Sequence, residues 1–444
     1  MRPTDREILR LAFPAFLALV AEPLFLLADA AIVGHLGTPE LAGLGVAAAV
    51  LQTVVGLCVF LAYGTTGSVA RKLGAGDRRG ALSQGIDGVW LAVLIGAVTT
   101  VVGVASTPLL VAAFDPGPAV TDFATTYLRI AFLGTTPLLV MLATTGILRG
   151  LQDTRTPLVV AVVGNILNVV LNVLLVYGVG SFDGLGIAGS ALGSVLAQVI
   201  SAGLLLAVVV QVARSEQAPL RPHLGGVRGA ASAGVPLLIR TLTLRAALLL
   251  TVYAVVLAAQ DAAGAERDLA THQLALTLWS FLAFALDAIA IAAQAITGRA
   301  LGAGDVVGTR ALTRRMIQWG VVSGCVTGVG LAAASPWLGV LFTEDAAVRR
   351  LLIPVLIIAA LGQPVAGVVF VLDGVLIGAG DGRYLAWAGL VALVAYLPLL
   401  LLGALVGGSV VWIWVAFAGG FMAARCAVLL HRARGSAWLV TGAG

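Results

Sequence analysis

The chain has 444 residues, of which 60% are hydrophobic and only 11% are charged, and its formal net charge is +5. A soluble domain carries about a quarter of its residues as charged side chains, so this composition excludes a globule that folds in water. Apolar runs of about 20 residues recur from end to end, and strand-type alternation is absent, which disfavours a β-barrel. The composition therefore predicts an all-α integral membrane protein.

Twelve apolar segments are predicted to be transmembrane helices. They lie near residues 8–34, 41–70, 82–106, 119–148, 156–178, 187–212, 229–259, 270–298, 312–334, 347–378, 384–406 and 409–430. Arginine and lysine cluster at both termini and in alternate loops, whereas the remaining loops hold only Arg267, Arg349 and Arg350. By the positive-inside rule, both termini are predicted to be cytoplasmic in a multi-pass protein of the cytoplasmic membrane. Arg425 is among the arginine residues that this rule assigns to the cytoplasmic side.

The sequence contains an internal repeat. "RKLGAGD" at 71–77 matches "RALGAGD" at 299–305, and "GILRGLQDTR" at 146–155 matches "GVLIGAGDGR" at 374–383; both pairs share one offset of 228 residues. Each repeat holds six spans, an even number, so the halves are predicted to be parallel six-helix lobes, as in secondary transporters. The predicted division is a lobe at 1–213, a cytoplasmic linker at 214–228 and a lobe at 229–444.

The glycines and aspartate of "LGAGD" have two possible roles. A phosphate-binding loop would need a preceding strand and a Lys-Ser/Thr pair, and both are missing. We therefore predict that glycine ends one helix at the cytoplasmic surface and that aspartate caps the next helix or pairs with an arginine.

Two carboxylates lie in the first span, Glu22 and Asp29, seven residues apart and hence on one helix face. A charge at the centre of a membrane helix costs about 2.5–3.5 kcal/mol and is a functional candidate by default. The span contains no basic residue, and a buried carboxyl without a positive partner can be protonated near neutral pH. Each of these two carboxyl groups is therefore interpreted either as part of a proton-coupling site or as a neutral acid that is hydrogen-bonded inside the helix bundle. Pro23 frees the carbonyl of Leu19, so it marks either a working bend or a static kink.

Three amides form a stripe on the fifth span, Asn165, Asn168 and Asn172. Asn172 and Asp29 lie at similar depths below the outer ends of their helices, which predicts that they touch. The stripe is either part of the coupling site or hydrogen-bonding glue between helices.

The second half places two arginines and two acids inside predicted spans: Arg240, Arg245, Asp287 and Asp373. Ion pairs among them would keep the acids charged and fix helix packing. A structural or gating network and a role in substrate or proton handling are both consistent with this pattern.

Several segments together resemble the multidrug and toxic compound extrusion (MATE) transporters, in their DinF-like branch, over essentially the whole chain. They are "FPAFLALVAEPLFLLADAAIVGHLGTPELAG", "GILRGLQDTRTPL", "NILNVVLNVLLVYG", "ALDAIAIAAQAITGRALGAGD" and "FVLDGVLIGAGD". The resemblance implies two six-helix lobes in a V shape and cation-coupled efflux of bulky, often cationic organic compounds.

The resemblance also suggests roles for individual residues. Asp29 occupies the position of the first-helix acid that the family ties to proton coupling. Asn168 and Asn172 fall where related members have an asparagine and an aspartate, and because Asn172 cannot titrate we hypothesise that Glu22 supplies the second carboxylate. Asp287 and Asp373 match acids of the DinF-like second lobe.

The predicted function is therefore a cation-coupled antiporter, with H+ as the expected ion and Na+ left open, that exports drugs or similar organic compounds. We expect a monomer in the lipid bilayer, with no cofactor, no metal site and no nucleic-acid partner. The alternative is a flippase for a lipid-linked precursor, which would favour an arginine-rich cavity. An intramembrane enzyme is disfavoured because neither D-x-x-x-D nor H-E-x-x-H occurs.

Overall fold

The computed structural model describes residues 3–259 and 261–442, which are almost entirely helical. The helices are α1 (Pro3–Gly34), α2 (Thr38–Cys58), α3 (Phe60–Gly74), α4 (Arg78–Ala112), α5 (Pro118–Leu133), α6 (Thr135–Gly150), α7 (Arg155–Tyr177), α8 (Ile187–Ser215), α9 (Leu224–Ala258), α10 (Ala262–Gly302), α11 (Val306–Phe342), α12 (Ala346–Gly378), α13 (Gly382–Leu402), α14 (Val410–Trp414) and α15 (Met422–Arg434). Two π-helical segments, Gly403–Gly407 and Val415–Phe421, flank α14, and two-residue strands β1 (Gly178–Val179) and β2 (Phe182–Asp183) form a small hairpin that the sequence did not predict.

The number of membrane-crossing helices agrees with the prediction of twelve. In the described chain, eleven helical stretches are long and apolar enough to span a bilayer, with α2 and α3 forming one of them. The twelfth is the pair α5 and α6, which is bent by 46° at Gly134.

The two "LGAGD" segments adopt the same structure in both repeats. Gly76 and Gly304 have left-handed backbone angles, with φ of 79° and 77°, which glycine adopts without strain. Asp77 and Asp305 then each accept a 2.7 Å hydrogen bond from the backbone amide three residues on, at the starts of α4 and α11. The prediction of a helix stop followed by a capping aspartate is confirmed.

The described chain divides into two compact units, and each is treated separately below. The N unit comprises residues 13–234, and the C unit comprises residues 3–12 together with 235–442. The predicted boundaries at 213 and 229 stay a prediction.

Candidate functional site

Asp29 is buried inside the N unit, with only 2% of its surface exposed. Its carboxylate accepts three hydrogen bonds from three other helices. The Asn172 Nδ2 group donates to Oδ1 over 2.8 Å, and Ser190 Oγ donates to the same oxygen. Tyr127 donates its hydroxyl to Oδ2 over 3.0 Å. The predicted contact between Asp29 and Asn172 is present, while Tyr127 and Ser190 were not foreseen.

The asparagine stripe continues this network along α7. The Asn172 Nδ2 group also lies 3.3 Å from Asn168 Oδ1, and Asn168 donates to Ser194 Oγ over 2.9 Å. Asn165 donates to the backbone carbonyl of Ala21 over 2.7 Å, two residues before Pro23. All three amides therefore bond to α1 or to groups that surround Asp29.

Small residues at the start of α8 allow this close approach. A Cβ atom on Gly193 would lie 2.1 Å from Asn172 Oδ1, and one on Gly189 would lie 2.3 Å from the carbonyl oxygen of Leu175. The absence of these Cβ atoms lets α7 and α8 pack with their backbones in contact, as small residues do between membrane helices. This packing brings Ser190 within hydrogen-bonding distance of Asp29.

The Asp29 site has hydrogen-bond donors but no cation. Among the described residues, no arginine, lysine or histidine forms an ion pair with Asp29. The Tyr127 and Ser190 hydroxyls can donate or accept a hydrogen bond. Asn172 Oδ1 is buried without a hydrogen-bond partner in the described chain, and rotating the amide by 180° would present this acceptor to a protonated carboxyl. The same side chains can therefore satisfy Asp29 in either protonation state.

Glu22 and Pro23 lie in the same helix but outside this network. α1 continues without a break through Pro23. Glu22 is exposed on the N unit, makes no hydrogen bond or ion pair with the described residues, and lies about 10 Å along the helix from Asp29. The structure thus does not bring the two carboxylates together, and the second-carboxylate role of Glu22 stays a prediction.

The C unit contains a buried acid with two cationic neighbours. Asp373 on α12 accepts hydrogen bonds at Oδ2 from Arg240 on α9, over 2.6 Å, and from Arg425 on α15. The Asp373 and Arg425 side chains are only 7% and 8% exposed. The Arg425 guanidinium also lies 5.8 Å from the centre of the Phe421 ring. This acid is held in an ion-pair cluster, unlike Asp29.

The described cluster contains one residue, Arg425, that the sequence analysis did not assign to it. Arg245 is exposed and makes no contact of this kind in the described chain, whereas Asp287 is partly buried in α10. Arg425, assigned from the sequence to the cytoplasmic basic residues, is instead buried against Asp373. Its position inside the predicted span 409–430 was the signal that could have identified it.

The described chain combines eleven apolar helices and one bent helix pair with an internal repeat and a buried acid that has no cationic partner, and these are features of a secondary membrane transporter. The MatE family model matches residues 14–174 and 243–402. The chain is 31% identical over 403 residues to protein DETOXIFICATION 44, chloroplastic, of Arabidopsis thaliana, covering 86% of this chain and 73% of that protein. It is 29% identical over 382 residues to DNA damage-inducible protein F of Escherichia coli strain K12, covering 85% and 81%. The chain belongs to the MATE family.

Solved structures agree with this fold. A MATE structure in the bent conformation matches with a TM-score of 0.88 at 21% identity, covering 98% of this chain and 96% of that one. An outward-facing multidrug resistance MATE transporter matches with a TM-score of 0.87 at 22% identity, covering 98% and 96%. The predicted family and all-α twelve-helix fold are confirmed. Members of this family are multidrug efflux transporters and not enzymes. The family match indicates no cofactor, and it does not favour the flippase alternative.

Proposed function

We propose that the protein is a proton-coupled antiporter that exports bulky, often cationic organic compounds, with Asp29 as the coupling residue. The observation that supports this most directly is the Asp29 carboxylate, buried among Tyr127, Asn172 and Ser190 without a counter-cation. An ionised Asp29 accepts three hydrogen bonds and presents a negative charge to a cationic substrate. Protonation removes that charge. A proton and a cationic substrate therefore compete for the negative charge of Asp29 in the N unit.

Pro23 offers a way to convert this exchange into movement. It leaves the carbonyl of Leu19 without its helical hydrogen bond, which lowers the resistance of α1 to bending. Asn165 holds the nearby carbonyl of Ala21. We therefore propose that a change of charge at Asp29 alters the bend of α1 close to Pro23.

Replacing Asp29 by asparagine is expected to abolish proton release on addition of ethidium or rhodamine 6G, because a neutral amide neither gains nor loses a proton near neutral pH. The protein is reconstituted in liposomes, and pH and sodium gradients are imposed separately to identify the coupling ion. Asp122→Asn is the control, since Asp122 is exposed and has no bonded partner among the described residues. Retained release in Asp29→Asn would rule out this coupling role.

Replacing Glu22 by glutamine is expected to weaken pH-driven dye export several-fold while leaving the protein folded. Glu22 lies on the Asp29 face of α1, and the position that would otherwise hold a second acid is occupied by Asn172. Initial rates are measured at a series of outside pH values. An unchanged pH profile would show that Asp29 works without a second carboxylate from α1.

We further propose that the protein works as a monomer in the cytoplasmic membrane with both termini inside. The concentration of arginine at the termini and in alternate loops supports this orientation. With Cys58, Cys325 and Cys426 replaced by alanine, a cysteine placed near Asp183 is expected to react in intact cells with a thiol reagent that cannot cross membranes. Absence of labelling would contradict this orientation.

A further inference from the structure

Two helices, α1 and α9, supply residues to both compact units. The division between units falls after Ala12 in α1 and after Gly234 in α9. A proline follows each division within two residues, Pro14 in α1 and Pro236 in α9. Because proline removes one helical hydrogen bond, each of these helices has a point of low bending resistance close to the division.

The start of α1 is anchored within the C unit by α11. The Arg315 Nε and Nη2 groups donate to the two oxygens of Asp5 over 2.6 and 2.9 Å. Trp319 Nε1 donates to the same carboxylate over 2.9 Å, and Asp5 is only 4% exposed. Ile8 and Leu11 are fully packed one and two turns further along. Bidentate arginine–carboxylate pairs of this kind fix geometry as well as adding energy.

The start of α9 is anchored within the N unit by α4. Asp87, 5% exposed, accepts a 2.8 Å hydrogen bond at Oδ1 from the backbone amide of His223, immediately before α9 begins. Its other oxygen lies against Gly226, where a Cβ atom would approach to 1.9 Å. Trp90 on the same helix donates to the carbonyl of Leu220 over 3.0 Å. A carboxylate at a helix start satisfies free backbone amides and the helix dipole.

The two anchors occupy equivalent positions in the repeat. α4 begins at Arg78 and α11 at Val306, and the offset of 228 that aligns the "LGAGD" segments also aligns Asp87 with Arg315. One position therefore carries opposite charges in the two halves, and each charge matches the group it holds. The positive side chain binds a carboxylate of α1, and the negative side chain binds backbone amide hydrogen at α9.

We propose that Arg315 and Asp87 are equivalent positioning residues, each of which fixes the start of one proline-containing helix. For α1 the proposal rests on the proposed function, because this helix carries Asp29 about 36 Å from Asp5. With its start fixed, α1 responds to a change of charge at Asp29 by bending at its prolines. If the start of α1 is released, the same change of charge moves the first residues of α1, and the helix does not bend at its prolines.

Hydrogen exchange in the full-length protein in lipid nanodiscs tests the anchors themselves. Arg315→Gln is expected to speed exchange at least tenfold for amides of residues 7–12, and Asp87→Leu to do so for residues 223–226. Arg314→Gln and Arg79→Gln, which change exposed neighbours on the same two helices, are expected to leave both segments unchanged. Arg315→Lys, which keeps the charge without the paired geometry, is expected to give intermediate rates. Wild-type exchange in both Arg315→Gln and Asp87→Leu would overturn the proposal.

A second measurement separates this proposal from the coupling role of Asp29. Arg315→Gln is expected to keep ethidium-stimulated proton release in detergent micelles while its export of ethidium from liposomes falls at least tenfold. Asp29→Asn is expected to lose both. Retained release in Asp29→Asn would refute the proposed function and leave the exchange result standing, whereas unimpaired export by Arg315→Gln would refute the positioning role.

Discussion

Replacing Asp373 by leucine is expected to lower the free energy of unfolding by about 3–5 kcal/mol, because it removes the carboxylate that two guanidinium groups share. Arg425 would keep its charge in a site where only 8% of its side chain reaches the surface. Leaving a buried charge without its partner is among the few single changes that destabilise a protein this strongly. The measurement is reversible unfolding in mixed micelles, compared with the unsubstituted protein.

Matched variants separate the loss of charge pairing from a general effect on α12 and its neighbours. Adding Arg425→Met to Asp373→Leu is expected to recover much of the stability, since an apolar replacement of a buried ion pair is often neutral or stabilising. Asp381→Leu is the control, because the Asp381–Arg432 pair is more exposed and Arg432 retains its contact with the Tyr384 ring at 4.6 Å. That variant is expected to lose no more than about 1 kcal/mol. Equal losses in the two single variants would contradict the buried-charge argument.

The two buried acids differ in what surrounds them, and this difference supports their proposed roles. Asp373 contacts two guanidinium groups, so its negative charge is balanced whenever the cluster is intact. Among the described residues, the hydrogen-bond partners of Asp29 are a phenol, a hydroxyl and an amide, which can bond to either protonation state. A residue that must gain and lose a proton during transport needs the second environment. The C-unit cluster is better suited to holding α9, α12 and α15 together.

Much of the fold was predictable because the relevant signals are local in sequence. The apolar runs give the spans, and the "LGAGD" segments give the helix stops and caps in both halves. The contact between Asp29 and Asn172 was also predictable, since both residues lie at a similar depth below the ends of their helices. These patterns depend on residue spacing within one segment of the chain. They can therefore be recognised without knowing which helices are neighbours.

The parts that could not be predicted depend on which helices become neighbours. Tyr127 and Ser190 are single hydroxyls in apolar spans, and no periodicity marks them as partners of Asp29. Arg425 lies inside the predicted span 409–430 but close to the basic residues Arg432 and Arg434, so the positive-inside rule assigns it to the cytoplasmic side. Its contact with Asp373 depends on which helices become neighbours. Asp5 similarly looks like an ordinary residue of a charged terminus until Arg315 and Trp319 are seen around it.

Replacing Gly193 by alanine is expected to disrupt the Asp29 site from a helix that carries no acid. The added Cβ atom would lie 2.1 Å from Asn172 Oδ1 and 3.1 Å from the Asn172 backbone nitrogen. The Asn172 amide must then move, and it is the group that donates to both Asp29 and Asn168. Over-packing of this kind costs about 1–3 kcal/mol, and we expect dye export to fall at least tenfold because the carboxylate loses one of its three donors.

Gly203 provides the matched control on the same helix. A Cβ atom there would meet nothing within 4 Å, so Gly203→Ala is expected to be neutral or to stabilise α8 by up to about 1 kcal/mol through its higher helix propensity. Both variants are compared for unfolding in mixed micelles and for ethidium export from liposomes. A Gly193→Ala protein that exports at the wild-type rate would show that Asn172 is not needed at the carboxylate. Loss of export in both variants would instead indicate that α8 tolerates no added side chain, and it would refute a specific role of Gly193.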